Sequence, residues 1–158
     1  MLVDFTPEFE PSTYVTHLLG HEGRGSLLSL LKRLGWVNRL SCGTSRPGKG
    51  FASLILSFDL TDNGLGHVTD IVIKVYQYIN LMRSEEPADW IFRENQALNS
   101  LHFRFKDKEP PYDYVLDLGS NLLRYRLEDV LTGPYILEFF ESDLVKDILS
   151  CLHPENSR

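Results

Sequence analysis

Two apolar segments in the first third of the chain have the pattern of strands. They are residues 36–42 and 51–60, and the segment GTSRPGKG between them is dense in turn-forming residues. The two segments predict an antiparallel hairpin with a loop at residues 43–50. The second segment, FASLILSFDL, is apolar at consecutive central positions, which is typical of an interior strand covered by helices. A further short strand is predicted at residues 2–6.

Short apolar repeats before the hairpin predict two helices. The first spans residues 12–19 and follows Pro11, which suits the start of a helix. The second spans residues 27–34, with Ser26 as a suitable N-cap and Gly35 as a suitable C-cap.

The clearest helical pattern begins at Thr61 and Asp62, where apolar residues recur at steps of three and four. We expect this stripe to face the core; its members are Leu65, Val68, Val72, Val75, Ile79 and Met82. A second stripe lies within residues 86–105; its members are Trp90, Glu94, Ala97, Leu98, Leu101 and Phe105. A third long helix is predicted at residues 113–125, and short helical pieces are predicted at residues 127–131, 135–140 and 142–152. A hairpin-rich first third followed by helices indicates an α+β fold, with an antiparallel sheet covered by helices.

Composition narrows the class of protein further. A chain of 158 residues is long enough for one domain with a hydrophobic core. The net charge of -6 disfavours nucleic acid as a partner. Cys42 and Cys151 lack the spacing of a metal pair, and free thiols are the expected state. The N-terminal residues lack the basic and apolar regions of a signal peptide, and no apolar run reaches membrane-spanning length, so we expect a cytoplasmic protein without a membrane partner.

His17, His21 and Glu22 have the composition of a zinc peptidase motif but not its order. The motifs HExxH and HxxEH place a glutamate where it polarises the metal-bound water. Here Glu22 directly follows His21, so on a continuous helix its side chain would point about 100° away from that histidine. The spacing therefore argues against catalytic zinc at this position.

Other catalytic patterns are equally incomplete. No GxSxG motif occurs, and GHEGRGS lacks the GK[ST] ending of a phosphate-binding loop. A structural thiol is the favoured interpretation of Cys42 over a nucleophile. The glycine-rich turn at residues 20–25 and the strand that follows could accept a peptide as an added strand, with Glu22 pairing with an ammonium group. A tight turn without a ligand is the competing interpretation, and the residues alone favour it.

Several long segments resemble one known family. They are HLLGHEGRGSLLSLLKRLGWVNRL, DLTDNGLGHVTDIVIKVYQYINLMR, FRFKDKEPP and RLEDVLTGPYILEFFESDL. They are similar to the second, non-catalytic domain of the insulin-degrading enzyme and nardilysin family of pitrilysin-type (inverzincin) metallopeptidases. The resemblance implies that residues 1–158 form a single, partial non-catalytic domain, truncated at both ends. The family's HxxEH motif lies in a preceding domain and is absent here. The resemblance thus implies no cofactor in this chain, zinc only in the separate catalytic domain, and no hydrolysis by this chain alone.

The same resemblance implies a peptide exosite, a surface that anchors the N-terminus of a substrate as an added strand. The matching positions are His17, Gly20, Glu22, Leu40, Ser41, Cys42, Gly43, Thr44 and Ile55. Glu22 would pair with the peptide α-ammonium group, and Gly20 would leave room for its backbone. Cys42 departs from the family, whose members usually carry glycine there.

The expected function is therefore that of a non-catalytic, substrate-anchoring segment of a zinc metalloendopeptidase that degrades peptides. Its expected partners are peptide N-termini and the other domains of a full-length peptidase. One alternative is a degenerate pseudo-peptidase that serves as a scaffold or interaction domain without peptide binding. A third, weaker alternative is an independent hydrolase that uses Cys42 or an unknown metal site.

Overall fold

The computed structural model describes residues 11–48, 51–137 and 139–157 and confirms the α+β class. Its helices are α1 (Pro11–Leu19), α2 (Leu27–Arg33), α3 (Asp62–Leu65), α4 (Val68–Ser84), α5 (Asp89–Arg104), α6 (Pro111–Leu122) and α7 (Ser142–Cys151). The strands are β1 (Val37–Gly48) and β2 (Phe51–Leu60), and short 3-10 helices span Leu127–Asp129, Gly133–Tyr135 and Pro154–Asn156. The strand predicted at residues 2–6 lies outside the described residues. Among the described residues, no helix is long and apolar enough to cross a membrane.

The described chain divides into two compact units. Among the described residues, the first unit contains 11–48, 51–87 and 142–157, and the second unit contains 88–137 and 139–141. The hairpin and the predicted site belong to the first unit, whereas α5 and α6 belong to the second.

Local signals around α2 act as the sequence predicts. The Ser26 hydroxyl accepts a hydrogen bond from the Ser29 backbone N–H at 3.1 Å, which caps the helix. Gly35 follows the helix with φ of 72°, in the left-handed region that favours glycine. These contacts set the direction in which the chain enters β1.

The hairpin is longer than predicted. β1 and β2 pair in an antiparallel register that continues to Gly48 and Phe51, so most of the predicted loop at residues 43–50 is strand. The prediction of a loop was wrong because it rested on the glycine and proline content of this segment. In the structure, the backbone pairing of β1 with β2 continues through these residues and extends the strand.

One face of the hairpin forms the core of the first unit. Leu40 of β1 is buried with Leu27 and Leu31 of α2, and Phe58 of β2 packs against this cluster. The prediction of an interior β2 is wrong for the described residues, because β2 pairs there with β1 alone and Ile55 is 49% exposed on the other face. The consecutive apolar residues of β2 therefore belong to a strand of which, among the described residues, only one face is covered.

The long predicted helix is interrupted, and only part of its predicted apolar stripe is buried. α3 ends before Gly66, and α4 begins again at Val68. Ile79 of the predicted stripe is buried and Val75 packs against the core, whereas Leu65, Val68 and Val72 of the stripe are exposed. Ile71, which the stripe omitted, is buried. The predicted stripe continued one helical period through the break, so its second half faces the core and its first half does not.

Arg83 joins α4 to α7 within the first unit. Its guanidinium group donates to the Leu149 carbonyl oxygen at 2.7 and 2.9 Å and to the Leu152 carbonyl oxygen at 3.0 Å. A cation at these carbonyls is favourable because the C-terminal end of a helix carries partial negative charge.

The second unit also buries a face that differs from the prediction. In α5 the buried residues are Ile91, Phe92 and Asn95, whereas Trp90 and Phe105 of the predicted stripe are exposed. Gln96 donates to the Leu137 carbonyl oxygen at 2.6 Å and holds the following segment. The helices predicted at residues 127–131 and 135–140 are replaced by short 3-10 helices.

Candidate functional site

The predicted turn and the predicted strand meet at Gly20. α1 packs against β1 and ends at Leu19, and the Gly20 N–H donates to the Thr16 carbonyl oxygen at 2.8 Å. A Cβ built on Gly20 would lie 3.4 Å from the Cβ of Cys42 and 3.0 Å from the Thr16 oxygen. Glycine at this position therefore allows the turn to approach the strand backbone closely.

The histidines of the turn support its shape. The rings of His17 and His21 lie with centroids 6.0 Å apart and planes tilted by 52°. The Gly23 N–H donates to Nδ1 of His21 at 3.2 Å, and a Cβ on Gly23 would overlap the His21 ring. Sequence reasoning did not assign Gly23 to the site, although its place in the repeated pattern GHEGRG was a usable signal. His21 and Gly23 together thus stabilise the loop that carries Glu22.

Glu22 is exposed at the tip of this turn. No hydrogen bond or ion pair joins it to another of the described residues. Its carboxylate is therefore available to a ligand with a positive charge, at a cost in desolvation that is small because the group remains in water.

The β1 residues of the predicted site alternate between two faces. Leu40 is buried and Cys42 is half-buried on the face that packs on the helices, while Ser41 and Gly43 are exposed on the opposite face. This alternation follows from the period of two along a strand. Thr44 is exposed farther along β1.

Ile55 lies on β2 directly opposite Gly43. Since paired residues of an antiparallel ladder share a face, Ile55 belongs to the exposed face of the hairpin, next to a position without a side chain. Among the described residues, β1 pairs with β2 along one edge, and no described strand pairs with its other edge. That edge presents backbone N–H and C=O groups at alternate residues.

The environment of Cys42 opposes a catalytic role for its thiol. Burial raises the pKa of Cys42 to about 11. The thiol is consequently protonated at neutral pH, whereas a nucleophilic cysteine requires the thiolate.

The described residues also do not fit a zinc centre. They contain no group of three or more histidine, cysteine, aspartate or glutamate side chains arranged to hold a metal ion. His17 and His21 form a pair only, and Nδ1 of His21 already accepts a backbone hydrogen bond. A structural or catalytic zinc site needs at least three protein ligands.

Comparison with known proteins identifies the family. The family model described as "Peptidase M16 inactive domain" matches residues 3–99, and the model described as "Middle or third domain of peptidase_M16" matches residues 103–158. The first match covers more than half of the chain, so this chain belongs to the peptidase M16 family of zinc metallopeptidases.

Individual relatives agree with that assignment. The chain is 49% identical over 148 residues to insulin-degrading enzyme of Homo sapiens, covering 94% of this chain and 14% of the relative. It is 40% identical to a nardilysin-like protein of Arabidopsis thaliana, covering 94% of this chain and 15% of the relative. The crystal structure of pitrilysin superposes with a TM-score of 0.90 at 25% identity, covering 96% of this chain and 16% of the other. The chain thus spans about one seventh of the length of these relatives.

Proposed function

We propose that this chain is a non-catalytic, substrate-anchoring segment of a zinc metalloendopeptidase, and that it binds the free N-terminus of an extended peptide. The observation that carries the proposal is the short distance between the turn and β1, since a Cβ built on Gly20 would lie 3.4 Å from the Cβ of Cys42. The turn with the unpaired Glu22 carboxylate therefore lies beside a strand that has one edge open among the described residues. The description of the matching family segment as inactive supports a role other than catalysis.

Main-chain pairing would supply most of the binding. A peptide that adds to β1 as a strand would use the backbone groups of residues 40–44, and such pairing tolerates many sequences. The α-ammonium group of the peptide would pair with Glu22. Because Glu22 is exposed, we expect this pair to contribute about 1 kcal/mol.

Anchoring would assist a reaction that takes place elsewhere. Holding one end of a peptide restricts where its remaining residues can lie relative to a catalytic centre. The zinc and the HxxEH motif that binds it would belong to a separate catalytic domain. The residues of this chain would therefore position the substrate and take no part in bond cleavage.

The first prediction tests the ammonium pair with four titrations. A peptide with a free N-terminus and its acetylated form are each titrated against the wild-type chain and Glu22→Gln. We expect acetylation or Glu22→Gln to weaken binding about fivefold. The loss of binding free energy from the two changes together should be smaller than the sum of the two separate losses, since both remove the same pair. Glu155→Gln, which changes another exposed glutamate of the first unit, is the matched control and should leave the affinity unchanged.

Equal affinity in all four titrations would disprove the ammonium pair. Absence of binding to any peptide would favour the scaffold alternative. The variant Cys42→Gly distinguishes a site that the Cys42 side chain blocks from a chain that has no peptide site. It removes the side chain that lies near Gly20. Binding that appears only in Cys42→Gly would show that Cys42 closes the site in this protein.

A further inference from the structure

One hydrogen bond closes the turn locally around Glu22, and it depends on a histidine. Nδ1 of His21 accepts the Gly23 N–H at 3.2 Å, which joins the residues on either side of Glu22. The neighbouring backbone bonds of the turn, from His21 to Leu18 and from Ser26 to Gly23, lie on one side of Glu22 or the other. Among the described residues, the His21–Gly23 bond is therefore the local hydrogen bond that spans Glu22.

This bond requires the neutral form of His21. An imidazole nitrogen accepts a hydrogen bond only when it carries no proton, so the proton of neutral His21 lies on Nε2. The ring lies over Gly23, where a Cβ would overlap Cε1 of His21, and glycine thus lets Nδ1 approach the N–H. The His21 side chain makes no other hydrogen bond and no ion pair within the described part of the chain.

The groups around His21 leave few candidates for a change of charge in mildly acidic solution. Between about pH 7 and about pH 5.5, histidine ordinarily gains a proton, whereas carboxylates and arginine keep their charge. The Cys42 thiol stays protonated there, because burial raises its pKa to about 11. The titratable and charged groups around His21 are His17 of α1, Glu22 and Arg24 of the turn, and Cys42 of β1. Of the two histidines, His21 is the one that accepts the Gly23 N–H.

We propose that His21 makes the peptide site sensitive to pH: protonation of Nδ1 breaks the bond to Gly23, releases the turn that positions Glu22, and weakens binding of a peptide α-ammonium group. This regulation rests on the proposed function, since it acts on the same site. Once Nδ1 carries a proton, it and the Gly23 nitrogen are both donors and cannot pair. The proton comes from the solvent, to which His21 is exposed.

The new charge acts in the same direction as the lost bond. Protonated His21 places a positive charge one residue from Glu22, where it opposes a second cation at that carboxylate. Affinity is therefore full while His21 is neutral and falls as the pH decreases through the range in which histidine gains its proton. Because the turn is exposed, the lost hydrogen bond and the screened charge together correspond to about fivefold in affinity.

The second prediction is that the whole chain binds a peptide with a free N-terminus about fivefold more weakly at about pH 5.5 than at about pH 7. The probe peptide contains no histidine, cysteine, aspartate or glutamate, and its C-terminus is amidated. Its α-amino group is ordinarily protonated for the most part at both values, so the charge of the ligand changes little. Fluorescence anisotropy of a label near the peptide C-terminus measures the affinity.

His21→Asn separates the proposed bond from other effects of pH. An asparagine oxygen accepts the N–H two residues later in an Asx turn and does not titrate. The ratio of the affinities at the two pH values should therefore fall to about one. His153→Asn changes another histidine of the first unit and should keep the wild-type ratio. A wild-type ratio that persists in His21→Asn, or that disappears in His153→Asn, overturns the proposal.

Nuclear magnetic resonance tests the turn without a peptide. In a chain with isotopically labelled glycine, the Gly23 amide resonance should move with pH and share its midpoint with the His21 ring resonance. In His21→Asn it should stay nearly fixed over the same interval. A Gly23 resonance that does not follow His21 overturns the switch whether or not the peptide binds. Absence of peptide binding at both pH values, with a Gly23 resonance that follows His21, overturns the proposed function and leaves the switch of the turn in place.

Discussion

Cys42 lies on β1 close to the glycine-rich turn, and its thiol has a raised pKa. The Cβ of this residue lies beside Gly20, and its burial raises the pKa of the thiol. Burial keeps the thiol protonated and therefore unreactive. It also makes the stability of the first unit depend on the protonation of this thiol.

The third prediction follows from this pKa. Burial raises it from an ordinary value near 9 to about 11 in the folded chain. Between these values the unfolded chain loses the thiol proton while the folded chain keeps it, so the free energy of unfolding falls as pH rises. Thermal melting at a series of pH values should show a steeper alkaline loss of stability for the wild type than for Cys42→Ala. Identical pH profiles in that interval would show that Cys42 is well solvated.

Single residues were predictable where their role is local. The cap at Ser26 and the left-handed Gly35 depend on a few neighbours in sequence, and both were identified from it. The packing of the His21 ring against Gly23 and the burial of Cys42 depend on the folded structure, and a linear sequence contains no direct signal for either.

At the scale of elements, α4 illustrates how the buried face of a correctly predicted helix can be assigned only in part. Ile71 is buried in the core with Leu28 and Val37, while Val72 next to it is 48% exposed. Both residues are large and apolar, so composition does not distinguish them. The position of β1 and α2 against the helix decides which of them is covered.

The fourth prediction compares these neighbours with the same substitution. Ile71→Asp should destabilise the first unit by about 3 kcal/mol or more, because it buries a charge without a partner. Val72→Asp should cost about 1 kcal/mol, because the carboxylate remains in water. Urea denaturation measures both. A larger loss for Val72→Asp than for Ile71→Asp would reverse the assignment of the buried face.

At the scale of the whole molecule, sequence matches and compact units divide the chain differently. The two family models meet near residue 100, inside α5, whereas the second compact unit begins at Ala88. The first unit also recruits α7 from the end of the chain through the hydrogen bonds of Arg83. Contacts between residues distant in sequence therefore define the units.

The fifth prediction concerns the activity of the whole chain. The purified protein should bind no stoichiometric zinc and cleave no peptide, because its sequence lacks HxxEH and its described residues contain no three-ligand metal group. Elemental analysis after dialysis and mass spectrometry of incubated peptides measure the two properties. One zinc per chain that disappears in His17→Ala or His21→Ala, but persists in a His153→Ala control, would contradict it.

The sequence alone determined the α+β class, the start of α2 and the family to which the chain belongs. These properties depend on local propensity, on periodicity or on long segments that can be matched directly. Tertiary structure alone decided that Gly20 lies close to Cys42 and that Ile71 rather than Val72 is buried. The physical reason is that burial depends on the neighbours that a residue contacts after folding. The spacing of apolar side chains along a helix does not specify those neighbours.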